Sequence, residues 1–295
     1  MALALSRSSK LWGYTLAVFG SACYGLNPLF ALPLYETGLD PISVLLYRYL
    51  LTVVMLGGVM LATHEPFGVS RKQLLLSACM GLFFAGSSIS LFYSFKFMDA
   101  GIASVILFTY PMMVVILSWL VFHEKMSKVA LACIAVAFAG ICCLHQPSGG
   151  DSTSAGVVLA FVSGLTYAIY LVGVNRSVLH NMSAMALTLY ASLTGVLVFI
   201  AIAALGDGGI DPVPCASAWL NVTGLALFPT LISLSFVTRS IHIIGSTPAS
   251  IIGALEPITA LAVSLLVFGG MITPLNWLGF ALVLGAVCLM VWKNH

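Results

Sequence analysis

Residues 246–268 read STPASIIGALEPITALAVSLLVF. The run is long enough to cross a bilayer, which takes about 20 residues. It holds a single charge, Glu256, near its middle, with Pro257 directly after it and Gly253 one turn before. A carboxyl, a helix breaker and a glycine at membrane depth are costly in hydrocarbon. They are tolerated where that side of the helix faces protein or a wet cavity. Residues 101–122, GIASVILFTYPMMVVILSWLVF, repeat the pattern. Ala103-Ser104 stand where Ala249-Ser250 do, Pro111 matches Pro257, and Leu120-Val121-Phe122 match Leu266-Val267-Phe268, all at one offset of 146 residues. The chain is therefore built twice.

Composition agrees with a membrane setting throughout. The chain is 61% hydrophobic and 7% charged, with mean hydropathy +1.11, whereas soluble domains carry about a quarter charged residues. A net charge of +2 gives no footing for nucleic acid. The seven cysteines stand singly apart from Cys142-Cys143, with no CxxC and no zinc-like His spacing, so neither a metal nor a disulfide framework is expected. They read as small buried hydrophobes.

Outward from the opening stretch, the apolar runs are 11–34, 42–62, 74–95, 101–122, 129–144, 155–174, 183–205, 216–238, 246–268 and 274–292. That is an all-α integral membrane protein with ten transmembrane helices. The first run is too long for a signal peptide. The longest joints, 145–154 and 206–215, are too short for a soluble domain. With the N-terminus inside, Arg7, Lys10, Arg71, Lys72, Lys125, Lys128, Arg176, Arg239 and Lys293 fall on the inner side, and Lys96 alone on the outer. This bias places both termini in the cytoplasm.

The duplication extends past the opening pair. Gly13, Leu16, Ala17 and Tyr24 match Gly156, Leu159, Ala160 and Tyr167 at an offset of 143, as Tyr47 matches Tyr190; Cys142 matches Cys288 at the later offset of 146. Residues 1–145 and 146–295 thus form two five-helix repeats. Five is odd, so the second copy enters the membrane from the opposite side. Two inverted halves have near-equivalent inward-open and outward-open states, the arrangement of secondary transporters, with cargo bound between the halves near the midplane.

Depth then selects candidate residues. At about 1.5 Å per residue, Arg48 lies roughly 9 Å below the outer edge, Tyr110 roughly 14 Å deep and Glu256 roughly 15 Å from the inner edge. Arg48 and Glu256 break the repeat symmetry, aligning with Ala191 and Tyr110. A base and an acid in opposite halves suit the carboxylate and ammonium of an amino acid. The alternative is a structural ion pair between the two, and a third reading has Glu256 carry a proton that couples export to proton inflow. Tyr24, Tyr93, Tyr110, Tyr167, Tyr170 and Tyr190 are read as cavity walls, their hydroxyls needing partners inside the bundle; helix packing is the rival explanation. Asn27 precedes Pro28, which frees the carbonyl of Tyr24; the two groups either face cargo or satisfy each other. Pro111 and Pro257 free the carbonyls of Leu107 and Gly253 and are the candidate hinges, with a static kink the alternative. The small pairs Ala135/Ala139 and Ala281/Gly285 suit close helix contact and are expected to pack the fifth and tenth spans together within one subunit, with a dimer contact the alternative. Trp12 and Trp292 suit the interfacial belt.

These residues together resemble the drug/metabolite transporter superfamily, in its EamA-type branch. The resemblance is carried by the two Ala-Ser-x6-Pro blocks, Phe122-His123-Glu124 closing the fourth span, the small-residue fifth and tenth spans, and Tyr47-Arg48-Tyr49 in the second. It covers nearly the whole chain. The second copy departs from it with Phe268-Gly269-Gly270, where the family often has an acidic residue, and Asn27-Pro28 with Pro33 breaks the first span more than usual. The resemblance implies a bacterial inner-membrane exporter, most similar to those of aromatic and other neutral amino acids, working as a monomer or weak dimer without cofactor. Multidrug or lipophilic-cation export is the alternative. A nucleotide-sugar carrier would need more cavity cations than Arg48. No hydrolase motif or Gly-rich phosphate loop with a Lys occurs, so an enzyme is not expected, and a single asymmetric charge pair suits alternating access better than a channel.

Overall fold

The computed structural model describes residues 7–123, 127–144, 150–206, 209–244, 249, 252–270 and 272–293. Helices, named in chain order, are α1 (Arg7–Gly25), α2 (Asn27–Glu36), α3 (Pro41–Ala62), α4 (Arg71–Phe97), α5 (Ala100–Leu107), α6 (Tyr110–Phe122) and α7 (Lys128–Leu144). There follow α8 (Gly150–Asn175), α9 (Ala184–Leu205), α10 (Ala216–Ala226), α11 (Ser233–Ile244), α12 (Leu255–Val267) and α13 (Pro274–Lys293), with a π-helical turn, Leu227–Ile232, joining α10 to α11. Among the described residues, eight segments are long and apolar enough to cross a membrane, and Lys128–Leu144 and Leu255–Val267 are shorter apolar helices. These two correspond to the predicted fifth and ninth spans. Glu124, Lys125 and Ser250 of the sequence reading lie outside the described residues.

Local chemistry sets where the helices begin. Asp40 caps α3 by accepting from Ile42 N at 3.0 Å, Ser70 and Gln73 form a reciprocal capping box on α4, and Ser183 accepts from Ala186 N at 3.2 Å to start α9. Prolines set where spans break. The first span divides at Leu26, ahead of Pro28; the fourth at Phe108-Thr109, ahead of Pro111; the eighth at the π turn holding Pro229. In each case a missing N–H leaves a carbonyl to be satisfied another way.

The helices pair in a pattern that survives exchanging each span for the one five further on. The third packs on the sixth (α4 with α8) and the first on the eighth (α1 with α11). The second packs on the seventh (α3 with α9), the fourth on the ninth (α5 with α12), and the fifth on the tenth (α7 with α13). The last contact is close: a Cβ on Gly140 would meet the Gly279 carbonyl at 2.9 Å, and one on Gly279 the Gly140 carbonyl at 2.7 Å. The predicted partners were wrong in detail. Ala135, Ala139, Ala281 and Gly285 lie on the exposed face of this pair, while Gly140, Gly279 and Val283 meet at the seam. Small residues recur along both faces of these helices, and spacing alone does not say which face turns inward. Ser87 of α4 is bonded to Ser163 of α8 (Oγ to Oγ 3.1 Å).

Two tyrosines brace opposite ends of the bundle. Tyr47 donates to the Asp211 carbonyl at 3.0 Å, and its repeat counterpart Tyr190 donates to the Phe67 carbonyl at 2.7 Å. The Tyr47 end is tied further. Asp211 Oδ2 accepts from Asp40 N (2.9 Å), Ser43 Oγ accepts from Asp211 N (2.9 Å), Tyr93 donates to Asp40 at 2.9 Å, and Lys96 pairs with Asp40 at 3.6 Å. Ser264 of α12 also donates to Asp99, the N-cap of α5.

Candidate cargo pocket where three helix breaks meet

The breaks of the first, fourth and ninth spans converge. A pocket with about 320 Å³ of empty volume is lined by Tyr24, Gly25 and Asn27 from the first, Ser104, Leu107, Phe108 and Tyr110 from the fourth, and Glu256 and Pro257 from the ninth, with Leu91 of α4. The approach is close because Gly25 has no side chain: a Cβ there would overlap the Glu256 carbonyl oxygen and would meet Thr259 Cβ at 2.6 Å. Glu256 lies in the first turn of α12, where the helix dipole favours negative charge.

Two polar groups of the pocket, the Asn27 side-chain oxygen and the Glu256 carboxyl, are acceptors without a donor among the described residues. Asn27 is 4% exposed; its Nδ2 donates to the Tyr24 carbonyl at 2.8 Å, satisfying the group that Pro28 frees, and its Oδ1 has no partner among the described residues. The Glu256 carboxyl makes no protein hydrogen bond or ion pair among the described residues. Among the described residues, no basic side chain lines the pocket. Tyr110 stands edge-on to Tyr167 (ring centroids 4.8 Å), Tyr167 stacks on Tyr170 (5.9 Å), and the array continues through Phe84 and Tyr49 to Phe199. Tyr24 and Tyr110 share the pocket wall with Glu256.

The remaining candidates are placed elsewhere. Arg48 is buried at 6% exposure and does not pair with Glu256. Its Nε and Nη2 donate to Thr230 Oγ1 at 3.2 and 3.1 Å, and its guanidinium lies over the Phe92 ring at 5.4 Å. Tyr93 sits with Asp40 and Lys96, and Tyr190 with Phe67, both away from the pocket lining. Of the hinge candidates, Pro257 is in the pocket wall and Pro111 follows Tyr110 at the α5–α6 break. Thr230, which holds Arg48, is the residue that sequence reasoning missed. Thr230 carries the same signal as Asn27 and Tyr110, a polar residue beside a proline inside an apolar span. Among the described residues, no group of three or more His, Cys, Asp or Glu is placed to hold a metal.

Comparison with known proteins supplies the family. The uncharacterized transporter YetK of Bacillus subtilis (strain 168) is 23% identical over 257 residues, covering 84% of this chain and 77% of that protein. The uncharacterized inner membrane transporter YedA of Escherichia coli (strain K12) is 25% identical, covering 76% of this chain and 73% of its own. The uncharacterized transporter sll1319 of Synechocystis is 26% identical, and the match spans 69% of this chain but only 62% of that relative. A solved crystal structure superposes over 98% of this chain and 100% of its own with a TM-score of 0.67 at 17% identity, which shows a shared fold. The sequence model of the EamA-like transporter family matches twice, over residues 11–145 and 154–292, and the chain accordingly belongs to that family of multi-pass membrane transporters.

Proposed function

We propose that the protein is a secondary transporter that exports small amine-bearing metabolites by alternating access between two inverted five-helix repeats, 1–145 and 146–295. In this reading it sits in the bacterial inner membrane with both termini in the cytoplasm. The observation that carries the cargo class is the pairing of an unpartnered carboxyl, Glu256, with the unpartnered Asn27 Oδ1 in a pocket that no base lines. An ammonium supplies the missing donors and charge, and the faces of Tyr24 and Tyr110 add cation–π attraction of about 0.5–2 kcal/mol. Helix breaks at the pocket give each half a place to bend.

Aromatic and other neutral amino acids are the first class to test, with the amine on Glu256 and the ring against the Tyr110–Tyr167 array. A second reading, organic cations without a carboxylate, is favoured by the engagement of Arg48 with Thr230, which leaves the pocket no anion partner. Flux into proteoliposomes of labelled tryptamine, tryptophan and indole-3-propionate, with and without a pH gradient, tests both. Saturable flux of tryptamine or tryptophan that exceeds indole-3-propionate supports amine cargo. Preference for indole-3-propionate, or no saturable flux of any, contradicts it.

A further inference from the structure

Thr230 connects a proline to a buried charge. Pro229 has no N–H, so the Leu225 carbonyl four residues back loses its helical partner. The chain answers with a π turn, and the Thr230 hydroxyl donates to that carbonyl at 3.1 Å. With its proton committed there, the Thr230 oxygen faces Arg48 and accepts from both Nε and Nη2. π turns of this kind are frequent at functional sites. The result is a guanidinium held in place by one neutral hydroxyl and one ring face, with no carboxylate within ion-pair distance among the described residues.

That is a weak hold for a buried cation. A carboxylate offers a bidentate, charge-assisted pair, about twice as strong per bond as a neutral acceptor. The guanidinium is also not remote from the pocket, since it lies over the ring of Phe92, whose chain neighbour Leu91 lines the pocket. We propose that Thr230 is a specificity-determining positioning residue: by holding Arg48 on the π turn, it keeps the guanidinium from the pocket and tilts selection toward amines that lack a carboxylate. This deepens, and rests on, the amine-transporter reading above. It assigns Thr230 no contact with cargo.

The test compares wild type with Thr230→Val, Thr230→Ala and Thr230→Ser in proteoliposomes, measuring kcat/KM for tryptophan and for tryptamine. Val and Ala remove the acceptor while Ser retains it, and Ala serves where the Val variant does not fold. A freed Arg48 is expected to raise the tryptophan-to-tryptamine ratio about tenfold, through KM more than kcat, since a hydrogen bond to a charged group is worth about 1.5 kcal/mol or more. Ser is expected to keep the wild-type ratio, and adding Arg48→Gln to the Val variant to abolish the gain. An unchanged ratio in both Val and Ala overturns the proposal, as does an equal change in Ser. Wild type that moves none of these compounds removes the functional reading itself, and this inference with it. Wild type that moves tryptamine, with ratios unmoved in the variants, removes this inference alone.

Discussion

Asn27 donates from Nδ2 to the carbonyl oxygen of Tyr24 at 2.8 Å, closing the gap that Pro28 opens in the first span and leaving Oδ1 without a partner among the described residues, in the pocket that Glu256 lines. One side chain thus repairs the backbone and offers an acceptor. A buried acceptor without a donor costs about 1–3 kcal/mol, which a donating cargo would recover.

Asn27→Ala is therefore expected to weaken amine cargo about tenfold or more in KM, because both the acceptor and the repaired break are lost. The break effect can be separated by thermal unfolding in detergent without cargo. A lowered midpoint with unchanged KM would make Asn27 a structural patch only.

Glu256→Gln keeps shape and removes charge. Protons and an ammonium compete for the same carboxylate, so wild-type amine flux should fall as pH drops on the side from which cargo loads. The Gln variant should move amine cargo at less than a tenth of the wild-type rate and show a flat pH profile. A wild-type pH profile retained in Glu256→Gln would exclude Glu256 as the titrating group.

The seam between α7 and α13 predicts a contrast between two glycines of one helix. Gly279→Ala forces a methyl onto the Gly140 carbonyl and should destabilise by about 1–3 kcal/mol. Gly285→Ala meets nothing within 4 Å and should be neutral or stabilising by up to about 1 kcal/mol from helix propensity. Equal effects on thermal unfolding would place the seam elsewhere.

Cys215 tests orientation. It is exposed just before α10, and the hydrogen bond with Ser217 (3.1 Å) pulls its thiol below the ordinary value, raising the reactive thiolate fraction. With the termini inside, the loop carrying it faces outward, and a membrane-impermeant maleimide should label it in intact cells. Cys79 and Cys142, exposed on the flanks of α4 and α7, should remain unlabelled in lipid. Labelling of Cys215 only after permeabilisation would invert the topology.

Much of this architecture is legible in the sequence because a bilayer leaves a chain few options: apolar runs become helices, and two offsets reveal the doubling. The pocket is partly legible for a related reason. Tyr24, Asn27, Tyr110 and Glu256 sit beside glycines and prolines at membrane depth, and helix breaks gather where backbone groups must be satisfied by protein or cargo. Depth, however, carries no azimuth. Arg48 has the right depth but turns to Thr230; Tyr93 and Tyr190 fall to opposite ends of the bundle. Ala135 and Ala139 have the spacing of a helix contact and lie on the exposed face. Thr230 was legible by the proline rule that found Asn27, applied to Pro229.

The central claim is that Glu256 selects an amine. Its most direct measurement is equilibrium binding of tryptamine and of indole-3-propionate to the purified wild type and to Glu256→Gln, which compares one ring bearing opposite charges. The account predicts that wild type binds tryptamine at least tenfold more tightly than indole-3-propionate, and that Glu256→Gln erases the difference. Tighter binding of indole-3-propionate by wild type, or a tryptamine preference that survives Glu256→Gln, would contradict it.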